Sequence, residues 1–234
     1  MILCATTLLA SFAAKPTQLH VKAVKRVMRY MLGNLDSGIF LKKDPNYNRS
    51  RITIFGFTDS DWAADRIKRR SMSGYITYMF GNLISCSSKY HPTPCLSTME
   101  AEYIGEVYCF KELLFLFYLL QEISGTWLYL LKEPIAIFGD NNAALKFAEE
   151  AGTNSKTKHI DLRSHWLRHF INERIFSMNF VRTDLNIADI FTKPLSLNDS
   201  TKFMKYISNA DSTESTRTLV AKLTVQNELR HRDL

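Results

Sequence analysis

The stretch Ile52-Thr53-Ile54-Phe55-Gly56-Phe57-Thr58-Asp59-Ser60-Asp61-Trp62-Ala63 decides the fold. Apolar and β-branched residues run through it up to a carboxylate, which reads as a buried strand closed by Asp59. Gly74 to Phe80, the turn Gly81-Asn82 and Leu83 to Ser87 supply two further strand patterns joined by a tight hairpin. Three antiparallel strands need a cover, and Thr98 to Glu122 provides one. Ser97 or Thr98 can cap that helix, and Ala101, Ile104, Val107, Leu114, Phe117 and Leu120 form its apolar stripe. The aromatic residues between Phe110 and Tyr118 follow the same spacing and read as core rather than as a platform for stacked bases.

Further along come a strand at Ile135 to Phe138, helices at Asn142 to Glu150 and Thr157 to Arg174, a strand at Phe176 to Arg182 and a short helix about Asn186 to Lys193. The order βββαβααβα predicts an α/β fold: a five-stranded mixed sheet with helices on its faces. Crossovers through helices set the later strands parallel to the first. Ahead of this unit, Gln18 to Leu32 places Leu19, Val21, Val24, Val27, Met28 and Met31 on one helical stripe, stopped by Gly33. A strand-like Gly38 to Lys42 and a polar connector, Asp44 to Ser50, follow. The expected organisation is an N-terminal piece at 1–50, a main domain at 51–196 and a polar, poorly ordered tail at 197–234, with only a weak helical pattern from Leu219 to Leu229.

With 234 residues, 46% of them hydrophobic, the chain can bury one substantial core, which excludes a disordered protein. A formal charge of +7 and a pI near 9.2 favour a polyanionic partner, because basic groups that neutralise phosphates release condensed counterions. Four cysteines without a C-x-x-C pair suggest neither a zinc knuckle nor a disulfide framework, and Cys86, His91 and Cys95 lack a fourth ligand. Met1 to Ala14 has the apolar run of a signal peptide without its basic start, and no run long enough to span a bilayer follows. The expected location is the cytoplasm or nucleus.

Asp59, Glu102, Asp140 and Asp189 sit where the chain delivers each from a different element. Singly, each has an ordinary reading as a turn, cap, helix-start or solvated residue. Together they are what two divalent ions about 4 Å apart require to hydrolyse a phosphodiester, since hard Mg2+ takes oxygen ligands and Mn2+ accepts the same set.

The local words around these acids sharpen the expectation. Thr58-Asp59-Ser60-Asp61-Trp62-Ala63, Ser71-Met72-Ser73-Gly74-Tyr75, Ser97-Thr98-Met99-Glu100-Ala101-Glu102-Tyr103, Gly139-Asp140-Asn141, Thr157-Lys158-His159-Ile160-Asp161 and Ala188-Asp189-Ile190-Phe191-Thr192-Lys193-Pro194-Leu195 resemble, in order, the ribonuclease H domain of copia-type LTR retrotransposon Pol polyproteins. Pro16 to His20, Arg26 to Tyr30 and Gly38-Ile39-Phe40 look like the thumb and connection end of the reverse transcriptase in the same polyproteins. The resemblance implies a ribonuclease H-like fold that cuts the RNA strand of an RNA-DNA hybrid with two Mg2+ ions. It assigns Asp59, Glu102, Asp140 and Asp189 as metal ligands and catalytic acids, with Asp61 and Glu100 as the alternatives beside the first two. The loop Thr183 to Asn186 carries no histidine of the kind many cellular ribonucleases H place before the last acid.

For the hybrid, Arg66, Lys68, Arg69 and Arg70 form one basic run, and Lys156, Lys158, Arg163 and Arg168 another. Ser71, Ser73, Arg69, Arg70, Asn141, Lys158 and His159 are the candidate phosphate or 2′-hydroxyl contacts, with Asn142 beside them. His159 also has a local reading as a helix-start residue. A competing reading is a retroelement relic that binds nucleic acid without cleaving it: Gly105 and Glu106 replace the small and apolar residues expected after Glu102. An integrase-like or resolvase-like nuclease ranks last, because those relatives order their acids differently.

Overall fold

The computed structural model describes residues 2–43, 53–124, 133–149, 161–208 and 216–232. Three antiparallel strands come first, β1 (Ile54–Asp61), β2 (Met72–Met79) and β3 (Asn82–Tyr90), with β2 and β3 joined through Phe80 and Gly81. Both turn residues have positive φ, 53° and 77°, the backbone twist that a two-residue hairpin turn needs. The long helix α3 (Thr98–Ser124) leads to β4 (Ile135–Gly139), α4 (Asn142–Glu149), α5 (Asp161–Asn172) and β5 (Phe176–Phe180). β4 pairs parallel with β1, and β5 parallel with β4, so the sheet order is β3-β2-β1-β4-β5. This is the expected five-stranded mixed sheet of the ribonuclease H-like fold. The closing element differs from the expected helix: it is two short 3-10 turns, Thr183–Leu185 and Ile187–Phe191.

Side chains alternate across the sheet and so build two cores. Ile54 of β1 and Ile135 and Ile137 of β4 face α3, α4 and α5, where Val107, Phe110, Leu113 and Phe117 of α3 meet Phe170 and Phe176. Phe115 and Tyr118 of the same aromatic run point outward, so that run divides between core and surface. On the opposite face Phe55, Phe57, Tyr78 and Phe138 pack against Ile187, Ile190 and Phe191.

The second core corrects the reading of the tail. Residues expected to be poorly ordered form α6 (Leu197–Ser208) and α7 (Thr216–Arg232), and Phe203, Tyr206, Ile207, Leu219 and Leu223 complete the core under Phe55 and Tyr78. Asn198, Asp199, Thr201, Lys205, Lys222 and Gln226 around them are exposed, which is why the tail's average composition hides a narrow apolar stripe. Tyr78 Oη donates to the carbonyl of Tyr206, and Asn227 Nδ2 donates to that of Phe180, which ties both helices to the sheet.

At the other terminus, α1 (Ile2–Ala10) lies along β3, with Thr7 Oγ1 donating to the Ser88 carbonyl at 2.9 Å. Helix α2 (Gln18–Leu32) has the expected bounds, yet none of its residues is buried: Leu19, Val24, Met28 and Met31 are exposed. Gly38 to Lys42, expected as a strand, pairs into no ladder; Phe40 N donates to the Ser208 carbonyl and Lys42 N to Asn82 Oδ1. The connector Asp44 to Ser50 lies outside the described residues. Phe203 is 2% exposed, so Phe203→Ala is expected to lower unfolding stability by about 3 kcal/mol in urea titration. A loss below about 0.5 kcal/mol, the range of a surface substitution, would mean that α6 is not packed on the sheet.

Candidate active site

β1 and β4 run parallel with Phe57 opposite Phe138, so two residues further on Asp59 and Asp140 leave the sheet side by side. The second 3-10 turn brings Asp189 to the same edge. One carboxylate oxygen from each of Asp59, Asp140 and Asp189 lies within 4.8 Å of the others, the only cluster of this kind among the described residues. Glu102 approaches from α3. Burial first, then the charges of Asp59, Asp140 and Glu106, push its carboxyl up to about 10. Burial and the charge of Asp59 likewise push Asp189 up to about 7, and burial raises Asp140.

The acids are held by residues that the sequence pattern did not single out. Thr192 Oγ1 donates to Asp59 Oδ2, and Thr183 Oγ1 donates to Asp140 Oδ2 at 2.7 Å. Lys193 Nζ lies 3.0 Å from Asp189 Oδ1 and 3.9 Å from Asp59 Oδ2. The turn carrying Asp189, Thr192 and Lys193 can approach because Gly74, paired with Asp59 in the sheet, has no Cβ; one there would stand 2.6 Å from Phe191 Cβ. Asn186 fixes the start of that turn, donating from Nδ2 to the Thr58 carbonyl at 2.9 Å and accepting the Ala188 N–H.

On the other side of β1, Gly105 lets α3 come close: a Cβ would meet Ser60 Oγ at 2.6 Å. Ser60 Oγ donates to the Ala101 carbonyl and shares a hydrogen bond of 2.6 Å with Ser73 Oγ, which contacts His91 Nε2. This buried chain holds the first turns of α3, and with them Glu102, against β1. Glu100 has a different task, its Oε2 accepting the Leu96 N–H at 2.7 Å. Asp61 and Glu102 both lie outside the group of three, but the charges of Asp59 and Asp140 act on Glu102, whereas burial alone raises Asp61, so Glu102 is the nearer fourth acid. Glu106, one turn beyond Glu102, is 1% exposed and its Oε2 has no hydrogen-bond partner. The spacing of four was visible in sequence both for Glu102 with Glu106 and for Asp189 with Lys193; the positions of Thr183 and His91 carried no such signal.

Two of the expected nucleic-acid contacts are corrected. Ser71 and Ser73 are 0% and 3% exposed; Ser71 Oγ accepts the Ala63 N–H, and Ser73 belongs to the chain just described. Ser73 lies in β2, an interior strand, and Ser71 stands immediately before it. Arg69 is exposed at φ 54°, whereas Arg70 pairs with Asp65 at 3.3 Å and lies over the Tyr90 ring. Asp65 shapes that loop by accepting the Ile67 and Lys68 N–H groups, and the Lys68 bond leads the effects holding its carboxyl below the usual range. Asn141 Oδ1 accepts the Ala143 and Ala144 N–H groups and caps α4, next to the exposed Asn142. Lys158 and His159 lie outside the described residues.

Fold and acid cluster together define an α/β protein of the ribonuclease H-like class. No family model matches the chain. It is 32% identical over 190 residues to a retrovirus-related Pol polyprotein from transposon TNT 1-94 of Nicotiana tabacum, covering 81% of this chain and 13% of that one. The corresponding polyprotein from transposon RE1 of Arabidopsis thaliana is 33% identical over 188 residues, covering 80% and 12%. Among solved structures, LC11-RNase H1 in complex with an RNA/DNA hybrid aligns at 16% identity and a TM-score of 0.42, over 60% of this chain and 94% of that one. The chain is similar to retrovirus-related Pol polyproteins of copia-type retrotransposons, which it matches over about four-fifths of its own length while spanning about an eighth of theirs.

A carboxyl whose pKa is raised by folding binds protons more tightly in the native state, so the stability it contributes at low pH is lost as pH rises. For Asp189 the window runs from its ordinary 3.8 to about 7. In the presence of a chelator, the urea midpoint should therefore fall between about pH 4 and pH 7, and fall less steeply in Asp189→Asn. Equal slopes for the two proteins would contradict the crowding of these acids.

Proposed function

We propose that this chain is the ribonuclease H segment of a retrotransposon Pol polyprotein and hydrolyses the RNA strand of RNA-DNA hybrids. The observation that carries the reading is the convergence of Asp59, Asp140 and Asp189, with Glu102 beside them, from separate elements. Four carboxylates, with Lys193 the one ammonium paired with them among the described residues, fit hard divalent cations; burial first, and then neighbouring negative charge that such cations would offset, raises the proton affinities of Glu102, Asp140 and Asp189. Asp59, Glu102, Asp140 and Asp189 would hold two Mg2+ ions, with Mn2+ accepted by the same oxygens. When bound, such ions supply a nucleophilic hydroxide and stabilise charge at the phosphorus and the leaving oxygen.

The chain's own residues do the rest. Thr192 and Thr183 fix the orientation of the Asp59 and Asp140 carboxylates. Arg66, Lys68 and Arg69 line an exposed loop that leaves β1 just past the acids and can take phosphates of the hybrid. Asn142, exposed at the start of α4, is a candidate contact for the 2′-hydroxyl, the group that distinguishes RNA from DNA. The main domain at 51–196 carries all four acids, with the 1–50 piece taken as the end of a reverse transcriptase and the cytoplasm or nucleus as the compartment. No described helix is long and apolar enough to cross a membrane.

The test is cleavage of a labelled RNA annealed to DNA in Mg2+, beside an RNA duplex control and the Asp140→Asn variant. An amide at position 140 still accepts the Thr183 hydroxyl and removes one of the crowded charges, so the variant should fold with a thermal midpoint no lower than that of the unaltered chain and lose cleavage altogether. Hybrid binding without cleavage by the unaltered chain, in Mg2+ and in Mn2+, would replace this reading with a relic that binds and does not cut.

A further inference from the structure

We propose that Lys193 is a tethered counter-ion of the carboxylate cluster, occupying the space between Asp59 and Asp189 that a divalent cation needs and yielding it when the metal enters. The inference rests on the reading of the cluster as a metal site. The ammonium stands 3.0 Å from Asp189 and 3.9 Å from Asp59, whose oxygens belong to the same group of three within 4.8 Å. A divalent ion ligated by Asp59 and Asp189 would sit beside a like charge at close range. Repulsion at that distance is strong in a partly dry site, so one cation must give way.

Lys193 is built to move. Its charge is carried on a flexible four-carbon stem rather than in a planar fork, and its side chain is 37% exposed while those of Asp59 and Asp189 are 4% and 8%. It has somewhere to go: Lys193 also lines a cleft of about 470 Å³ between α1, α2 and the segment after the second 3-10 turn, walled by Leu8, Val27, Tyr30, Ile190 and Leu195. The stem can lie along those apolar walls with its ammonium at the open side. Among the described residues Lys193 is the one ammonium paired with these acids, and removing it would leave buried charges uncompensated.

The experiment measures Mn2+ binding to the full chain by calorimetry, comparing the unaltered protein with Lys193→Gln, together with thermal unfolding in chelator. The expected result is Mn2+ affinity about tenfold tighter in Lys193→Gln, with a lower thermal midpoint in chelator. Equal or weaker affinity in Lys193→Gln, with the unaltered chain binding Mn2+, overturns this inference and leaves the metal site standing. Absence of Mn2+ binding by both proteins overturns the metal site and this inference with it. Should Lys193→Gln fail to fold, labelling of Lys193 in the unaltered chain by an amine-reactive reagent, read by peptide mass spectrometry against the exposed Lys111, decides instead. Labelling that rises several-fold once Mn2+ saturates supports displacement; unchanged labelling overturns it.

Discussion

The parallel register of the two central strands is the constraint on which the site depends. Phe57 lies opposite Phe138 and both side chains are buried in the second core, so the strand ends two residues later deliver Asp59 and Asp140 together. A slip of one residue would turn Phe55 and Phe57 toward α3 and carry Asp59 to the wrong face. Such a slip would forfeit the packing of both rings against Tyr78 and Phe138, so the core that stabilises the sheet also sets the spacing of the acids. The last acid depends on the same strands: Asn186 bonds to the Thr58 carbonyl, and Gly74 leaves room for Phe191 beside Asp59.

Gathering acids in this way is electrostatically unfavourable. Burial and mutual repulsion raise the proton affinities of Glu102, Asp140 and Asp189, and the fold offsets this with hydroxyl donors from Thr183 and Thr192 and one ammonium from Lys193. Perturbed carboxyls clustered in one place are a feature that active sites share, and the reading of this cluster as a metal site draws on it. Glu106 adds a further buried carboxyl one turn from Glu102, with the charge of Glu149 adding to its burial in raising its proton affinity.

Much of this was legible in the sequence. Short apolar runs ending in acids located β1 and β4, the helical stripe located α3, and the order of acids along the chain resembled the family's words. What the sequence hid follows from physics that acts across the fold. The tail's apolar residues are too sparse to register in composition, and only their placement over Phe55 and Tyr78 makes α6 and α7 part of the core. Ser71 and Ser73 read in sequence as candidate phosphate or 2′-hydroxyl contacts, whereas both are buried, Ser71 beside the Ala63 N–H and Ser73 beside His91. The stripe on α2 shows the opposite case: the pattern is amphipathic, yet no described element covers Leu19, Met28 or Met31.

The claim at the centre of this account is that sheet register and the 3-10 turn build a cation site from Asp59, Glu102, Asp140 and Asp189. Crystals grown in Mn2+, with diffraction recorded at the manganese absorption edge, test it most directly. The account predicts anomalous density within ligand distance of the three aspartates, with Glu102 turned toward it. Density confined to other surfaces, or none with Lys193 still lodged between Asp59 and Asp189 at saturating Mn2+, would contradict it.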